Sequence, residues 1–173
     1  MSMPDFCDTI FTMEITQKEK DTFRLKAKNV VVELARKVTI RGKSDGFVID
    51  EPGEYEIEGV SVFAYRLGES GRAYLLQCEG VRVLFIPEYE QEMSEACVDE
   101  LGVVDVLIFI RSEAKLMVKL VEAVEPSYVL PAANDSQDSF VKTYERGSRA
   151  MASLVVSATS LPSELTEVIV LNR

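Results

Sequence analysis

Apolar and polar residues alternate with the period of a β-strand along most of the first half of the chain. The segments with this alternation, or with a short apolar run, are MEIT (13–16), TFRLKAKNVVVELA (22–35), FVID (47–50), EYEI (54–57), VSVFAYRL (60–67), AYLLQC (73–78) and VRVLFI (81–86). Pro52-Gly53, Glu58-Gly59 and Glu79-Gly80 are typical of tight turns, because Pro presets φ and Gly accepts positive φ. RKVTIRGKSDG (36–46) is polar and ends in turn residues. The pattern predicts an antiparallel meander, with a tight turn at Pro52-Gly53.

The spacing of apolar residues changes after Pro87. SEACVDEL (94–101) has a serine N-cap and helical spacing, and SEAKLMVKLVEAVEP (112–126) places Leu116, Leu120, Val121 and Val124 on one helical stripe. SQDSFVKTYERG (136–147) predicts a third helix that starts at a Ser or Asp cap and ends at Gly147. Between the helices, VVDVLIFI (103–110) and SYVLPA (127–132) predict buried strands, and ASLVVSATSLP (152–162) and TEVIVLN (166–172) finish the chain. A meander half followed by a β-α-β-α-β half indicates an α/β sandwich.

Composition excludes several classes of function. A chain of 173 residues fits one domain, and a formal net charge of −10 argues against nucleic-acid binding, which needs clustered cations. The three cysteines, Cys7, Cys78 and Cys97, have no CxxC spacing, so we expect reduced thiols rather than disulfides or a zinc knuckle. No signal peptide is expected, and no apolar run is long enough to span a bilayer. We therefore expect a cytoplasmic protein without a membrane partner.

Several segments resemble one family. They are MEITQKEKDTFRLK (13–26), FVIDEPGEYEIEGVSV (47–62), ELGVVDVLIFI (100–110), VEAVEPSYVLP (121–131) and SLPSELTEVIVLN (160–172). They are similar to the metallo-β-lactamase-fold hydrolases, especially the small branch of ascorbate-6-phosphate-lactonase-like proteins. The resemblance implies a truncated αββα sandwich formed by residues 13–173 as a single domain, with residues 1–12 as an N-terminal arm.

The departures from the family lie at its metal site. The chain has no histidine, and the H-x-H-x-D-H motif is missing together with most of the segment that would hold it. At the other positions of the family's site, which we call the vestigial positions, this chain has Lys20, Glu88, Gln91 and Ala133. Hydrolytic zinc sites need three or more imidazole or carboxylate ligands and an open position for water. We therefore expect no cofactor and no tightly bound zinc, iron or manganese.

Two functions remain open. Without histidine, a Ser-His or Cys-His nucleophile pair is impossible, and we assign no catalytic residue. The favoured function is that of a non-catalytic binding or scaffold subunit, a pseudoenzyme. The alternative is a weak hydrolase with a remade, carboxylate-based metal site, for which Glu88, Glu90 and Glu92 are candidates. A salt bridge between Lys20 and Glu88 is expected to fill the vacated site.

The missing segment also suggests an association. A deletion between Ala35 and Gly46 should shorten one half, so that the two sheets need not be equal, and uncover apolar surface, which proteins refill or use as an interface. The N-terminal arm could refill it with Phe6, Ile10 and Phe11. We expect a homo-oligomer, most simply a two-fold dimer, or an unidentified protein partner.

Overall fold

Two β-sheets face each other in the computed structural model, which describes residues 11–43, 45–162 and 164–172. The strands are β1 Met13–Glu19, β2 Thr22–Ala27, β3 Val30–Leu34, β4 Val38–Arg41, β5 Phe47–Ile49, β6 Gly53–Ile57, β7 Val60–Leu67, β8 Gly71–Cys78, β9 Val81–Tyr89, β10 Val106–Ser112, β11 Tyr128–Pro131, β12 Arg149–Met151, β13 Leu154–Val156 and β14 Glu167–Leu171. The helices are α1 Glu95–Leu101, α2 Ala114–Val124 and α3 Asp135–Tyr144. No helix in these described ranges is long and apolar enough to cross a membrane.

The first sheet has six antiparallel strands in the order β13-β1-β2-β3-β4-β5. Its inner face follows the predicted alternation: Met13, Ile15 and Gln17 of β1 are buried, and the residues between them face outward. The late strand β13 pairs with β1, so that Met13 lies opposite Val156. Two segments that are distant in sequence therefore share one sheet.

The second sheet has eight strands in the order β12-β14-β11-β10-β9-β8-β7-β6. Strands β6 to β9 form the predicted antiparallel meander, and β10 runs parallel to both β9 and β11. One face of this sheet packs on the first sheet through residues such as Phe85, Ile108 and Leu130. The opposite face packs on the helices through residues such as Leu107 and Phe109. The two sheets are therefore unequal, with six and eight strands, and the expected truncation stays a prediction.

All three described helices cover the second sheet. Ser94 caps α1 as predicted, by accepting a hydrogen bond from the amide of Cys97 at 3.2 Å. The buried residues of α2 are Met117, Leu120 and Val121, whereas the predicted stripe members Leu116 and Val124 are only half-buried. The N-cap of α3 is Asn134 rather than the predicted Ser or Asp, and the helix ends at Tyr144. The layers of the described residues are therefore sheet, sheet and helix.

Two local features between β3 and β6 differ from the sequence pattern. The segment whose sequence indicated only a polar stretch contains a strand, because Val38 and Ile40 alternate with polar neighbours and β4 pairs with β3. Pro52-Gly53 does not close a hairpin. Gly53 has a φ of 151°, as a glycine position allows, but β5 belongs to the first sheet and β6 to the second. We call residues 50–52 the corner, since the chain passes there from one sheet to the other.

The outer face of the first sheet carries no helix from the described residues, and it is mainly polar. Glu14, Lys18, Arg24 and Lys26 belong to it on β1 and β2, while β3 and β4 contribute the ion pair Glu33–Arg41 at 3.6 Å. Among the described residues, the exposed large apolar side chains of this face are few: Val48, and Val155, which lines a shallow pocket together with Phe11. The expected uncovered apolar surface is therefore not found here, and the predicted association remains a prediction without this support.

The N-terminal arm lies largely outside the described residues. Residues 1–10, with Cys7, Phe6 and Ile10, are not described, so the predicted docking of the arm stays a prediction. Phe11 is 46% exposed, and the ammonium group of Lys28 lies 5.5 Å from the centre of its ring.

The two described cysteines are free thiols. Burial raises the pKa of the Cys78 thiol from 9.0 to about 11, with Glu79 adding to the effect. Since the thiolate is the nucleophile, a rise of two pKa units lowers its population roughly a hundredfold. In a chain with Cys7→Ser and Cys97→Ser, a disulfide reagent at pH 8 should modify the native protein roughly a hundredfold more slowly than the urea-unfolded chain. Equal rates would contradict the burial of Cys78.

Candidate functional site at the strand-end rim

One edge of the sandwich collects the polar turns of both sheets, and we call it the strand-end rim. Antiparallel neighbours bring alternate turns to one edge, while the parallel strands all point the same way. The rim consists of the β1–β2 turn (20–21), the β3–β4 turn (35–37), the corner (50–52), the β7–β8 turn (68–70) and the residues that follow β9, β10 and β11. Ligand sites of open α/β sheets commonly lie outside the carboxyl ends of their strands, so this edge is the candidate site.

Gln17 joins the two sheets at the rim. Its side chain is 4% exposed, and its Nε2 donates to the carbonyl oxygens of Glu19 and Lys20 at 3.2 and 2.9 Å. Its Oε1 accepts a hydrogen bond from the amide of Ala133, just after β11, at 3.3 Å. One buried amide thus closes the β1–β2 turn and ties it to the second sheet.

Asp21 and Asn134 form a second link between the same segments. Asp21 accepts a hydrogen bond from Nδ2 of Asn134 at 3.2 Å and pairs with Nη2 of Arg111 at 3.4 Å. Asn134 Nδ2 also donates to the carbonyl oxygen of Ile110 at 2.7 Å, and its Oδ1 accepts from the amide of Ser136 at 2.9 Å. We call Gln17, Asp21, Arg111 and Asn134 the rim clasp, since they join the β1–β2 turn to the ends of β10 and β11.

The vestigial positions are only partly brought together. Lys20 and Ala133 both contact Gln17, through a backbone carbonyl and a backbone amide. Glu88 lies at the end of β9, opposite Arg111 in the parallel register. Gln91 lies farther along, where its side-chain oxygen occupies the space that a Cβ on Gly68 would need. All four positions are on the rim, but only Lys20 and Ala133 share a bonded neighbour, Gln17, among the contacts of the described residues.

The expected salt bridge between Lys20 and Glu88 was wrong. Both residues are exposed, and no ion pair joins them in the structure. The ion pair of this part of the rim is Asp21–Arg111, with the negative charge on the β1–β2 turn and the positive charge at the end of β10.

The rim residues do not suit a divalent metal. Of the vestigial positions only Glu88 offers a carboxylate, Ala133 has no donor atom, and Lys20 carries a positive charge. Asp21 is the nearest additional carboxylate of the clasp, and its oxygens already bind Asn134 and Arg111. Among the residues that the structure describes, no group of three His, Cys, Asp or Glu side chains is arranged to hold a metal ion. The donor set therefore does not reproduce a hydrolytic centre.

A cleft of about 470 Å³ opens beside the clasp on the same rim. We call it the rim cleft; its lining residues are Arg36, Lys37, Asp50, Glu51, Ser70, Gly71, Arg72, Tyr74, Pro87 and Glu88. Lys37 Nζ pairs with Asp50 at 3.0 Å, and this hydrogen bond holds the pKa of the Asp50 carboxyl below its usual value. Arg72 donates from Nε to the carbonyl oxygen of Asp50 at 3.1 Å and from Nη1 to that of Gly71 at 2.9 Å. The corner and β8 are thereby joined.

Sequence reasoning missed the rim clasp and most of the cleft. One signal was available for Gln17, because it continues the buried face of β1 after Met13 and Ile15, where a polar residue needs partners. Asn134 could have been recognised as a helix cap, since Asn is among the best residues for that position. Nothing in the local pattern identifies Asp21 or Arg111, whose pairing depends on the tertiary fold.

Solved structures show which fold this arrangement belongs to. A protein from Thermotoga maritima, assigned to the Zn-dependent hydrolases of the metallo-β-lactamase superfamily, superposes with a TM-score of 0.68 at 16% identity, covering 92% of this chain and 98% of that chain. A metallo hydrolase from the archaeon Ignicoccus hospitalis KIN4/I superposes with a TM-score of 0.61 at 8% identity, covering 84% of this chain and 99% of that chain. No protein-family model matches the sequence, and no curated protein matches it. The fold is metallo-β-lactamase-like.

Proposed function

We propose that this chain, which has the fold of metal-dependent hydrolases, is a non-catalytic binding or scaffold protein and a degenerate relative of the ascorbate-6-phosphate-lactonase-like branch. The observation that carries the proposal is the rim clasp. Gln17 and Asn134 use their amides to bond backbone groups, and Asp21 is paired with a guanidinium. The polar groups near the family's site positions thus hold the two sheets together.

Electrostatics at the rim support the same proposal. Arg111 is permanently charged and lies opposite Glu88 in the register of β9 and β10. Lys20 adds a second positive charge on the β1–β2 turn. Arg111 is paired with Asp21 and lies beside Glu88, so a divalent cation would have to displace a guanidinium to reach these carboxylates. This arrangement supports a role in binding rather than in holding a metal ion.

Under this proposal the protein has no substrate, and its function is to bind a protein partner. The partner is a second copy of the chain or another protein of the cytoplasm, because a chain of net charge −10 lacks the clustered cations that nucleic acid requires. Size measurement by light scattering at micromolar concentration separates the two cases, since only self-association gives a closed assembly of the purified chain.

The alternative function is a weak hydrolase with a remade carboxylate site. One observation favours it, since Glu88, Asp50 and Glu51 line the same rim cleft. Against it, Asp50 is already paired with Lys37, and Arg36 and Arg72 line the cleft as well. These cations would have to leave before the carboxylates could share a metal ion.

An activity assay decides between the two functions. We expect purified protein to hydrolyse lactone, phosphodiester and β-lactam substrates no faster than buffer, both with added zinc or manganese and with chelator. The reason is that the chain has no imidazole, and the part of it that the structure describes has no converging set of carboxylates to activate water at neutral pH. Turnover that is lost in Glu88→Ala but kept in Glu122→Ala, an exposed glutamate on α2 outside the rim cleft, would establish the hydrolase instead.

A further inference from the structure

Tyr74 is a buried tyrosine whose hydroxyl has no partner. The residue is 1% exposed, and its ring stacks on Phe85 between the two sheets with the ring centres 6.1 Å apart. Its hydroxyl forms no hydrogen bond with any residue in the described ranges. The hydroxyl oxygen is not one of the fully buried polar atoms that lack a partner, so it reaches the protein surface, where a ligand can bond it.

The unpaired hydroxyl lies at the rim cleft. Tyr74 is among the residues that line the cleft, although almost all of its surface is buried. Burial raises the pKa of Tyr74, while the positive charge of Arg72 lowers it and Asp50 and Tyr55 raise it. Arg72 and Asp50 also line the cleft, so the hydroxyl end of Tyr74 is the part that faces it.

The other free donors of the cleft are guanidinium groups. Two backbone carbonyls fix Arg72 through Nε and Nη1, which leaves its Nη2 without a partner among the described residues. Arg36 is exposed and likewise unpaired within the described ranges. A guanidinium that is already held in place loses little entropy on binding, and its planar group matches the two oxygens of a carboxylate.

The acidic residues of the cleft limit the charge of the ligand. Lys37 and Asp50 neutralise each other, so Arg36 and Arg72 are balanced by Glu51 and Glu88. A doubly charged phosphate would meet two carboxylates without a surplus of positive charge to offset them. A singly charged carboxylate takes the same donors with less repulsion.

We propose that the rim cleft binds a small molecule through a carboxylate group, which accepts hydrogen bonds from the Tyr74 hydroxyl and from the guanidinium groups of Arg72 and Arg36. This inference rests on the proposed function, because it names the class of ligand for a binding protein. Glu88 also lines the cleft, and its carboxylate can accept a hydrogen bond from a hydroxyl or amino group of that ligand.

The test is a titration of isotope-labelled protein with acetate, followed by amide NMR at constant ionic strength, with chloride and inorganic phosphate as comparison anions. We expect saturable shifts confined to the residues that line the rim cleft, with acetate binding more tightly than phosphate. No saturable shift with acetate, or tighter binding of phosphate, would overturn the proposal.

The Tyr74→Phe variant isolates the hydroxyl. Losing one hydrogen bond to a charged group should weaken acetate binding roughly tenfold or more. The melting temperature without acetate should not fall, because the removed hydroxyl has no partner in the fold. Tyr89→Phe is the matched control, since the hydroxyl of Tyr89 accepts a hydrogen bond from the amide of Met93 at 2.9 Å. That variant should melt at a lower temperature and bind acetate as the natural chain does.

The outcomes separate this inference from the proposed function. If Tyr74→Phe and the natural chain bound acetate with equal affinity, the proposed carboxylate site would be wrong. The proposed non-catalytic function would not be affected by that result. Arg36→Gln should also weaken acetate binding. An unchanged affinity in that variant would show that Arg36 does not contact the carboxylate. Metal-dependent turnover in the hydrolysis assay would instead overturn the proposed function, whatever the acetate titration shows.

Discussion

Replacing Gln17 by leucine should lower the free energy of unfolding by about 2–4 kcal/mol. Leucine fills a similar volume on the buried face of β1, but it cannot bond the carbonyl oxygens of Glu19 and Lys20 or the amide of Ala133. Each buried backbone group that loses its partner costs about 1–3 kcal/mol, and part of that cost is offset by water entering at the rim. Urea denaturation followed by circular dichroism measures the loss.

Gln91→Leu is the matched control for Gln17→Leu. It makes the same chemical change on the same rim, but Gln91 is exposed and forms no hydrogen bond within the described residues. Its effect should stay within about 0.5 kcal/mol, as for most surface substitutions. If the two variants were equally stable, Gln17 would not be the link between the sheets.

Replacing Asn134 by alanine should lower the free energy of unfolding by about 2–3 kcal/mol. The substitution removes the cap of α3 at Ser136, and it also removes the donor to the carbonyl oxygen of Ile110. Asp21 would then keep only Arg111 as a side-chain partner. The cost should therefore exceed that of losing a helix cap alone, which is typically about 1 kcal/mol.

Ser94→Ala supplies the comparison, because Ser94 caps α1 through one hydrogen bond to Cys97 and has no described role at the rim. Urea denaturation of both variants gives the difference between a cap alone and a cap that also links the rim. Equal losses would mean that the bonds of Asn134 to Ile110 and Asp21 add nothing. The double variant of Gln17 and Asn134 should lose less than the sum of the two, because both residues tie the same turn to the same sheet.

Most strands could be predicted from sequence because a half-buried strand has a period of two. The same alternation was present in Val38-Thr39-Ile40-Arg41, which forms β4. This strand was missed because the segment was interpreted as the remnant of a deleted loop. The corner was misread for a different reason. A turn residue such as Gly53 reports a local change of direction, but it does not report whether the next strand joins the same sheet.

The residues of the candidate site were harder to predict from sequence than the fold was. The resemblance placed Lys20, Glu88, Gln91 and Ala133 on one edge, and that edge is the rim. It could not show which side chains replace the lost ligands. Gln17 and Ala133 are 116 residues apart and Asp21 and Asn134 are 113 apart, so their contacts depend on the docking of the two sheets.

The pairing of β13 with β1 determines the order in which the protein can be completed during synthesis. β1 leaves the ribosome early, but the strand that covers its free edge is made only when Leu154–Val156 has been translated. Until then the backbone amides and carbonyls along that side of β1 have no strand to pair with, which is the exposed edge that invites association between nascent chains. The closing contact also spans most of the chain, and contacts of such long sequence separation form slowly. Charged residues on an edge strand disfavour such association, and β1 carries Glu14 and Lys18 as exposed residues.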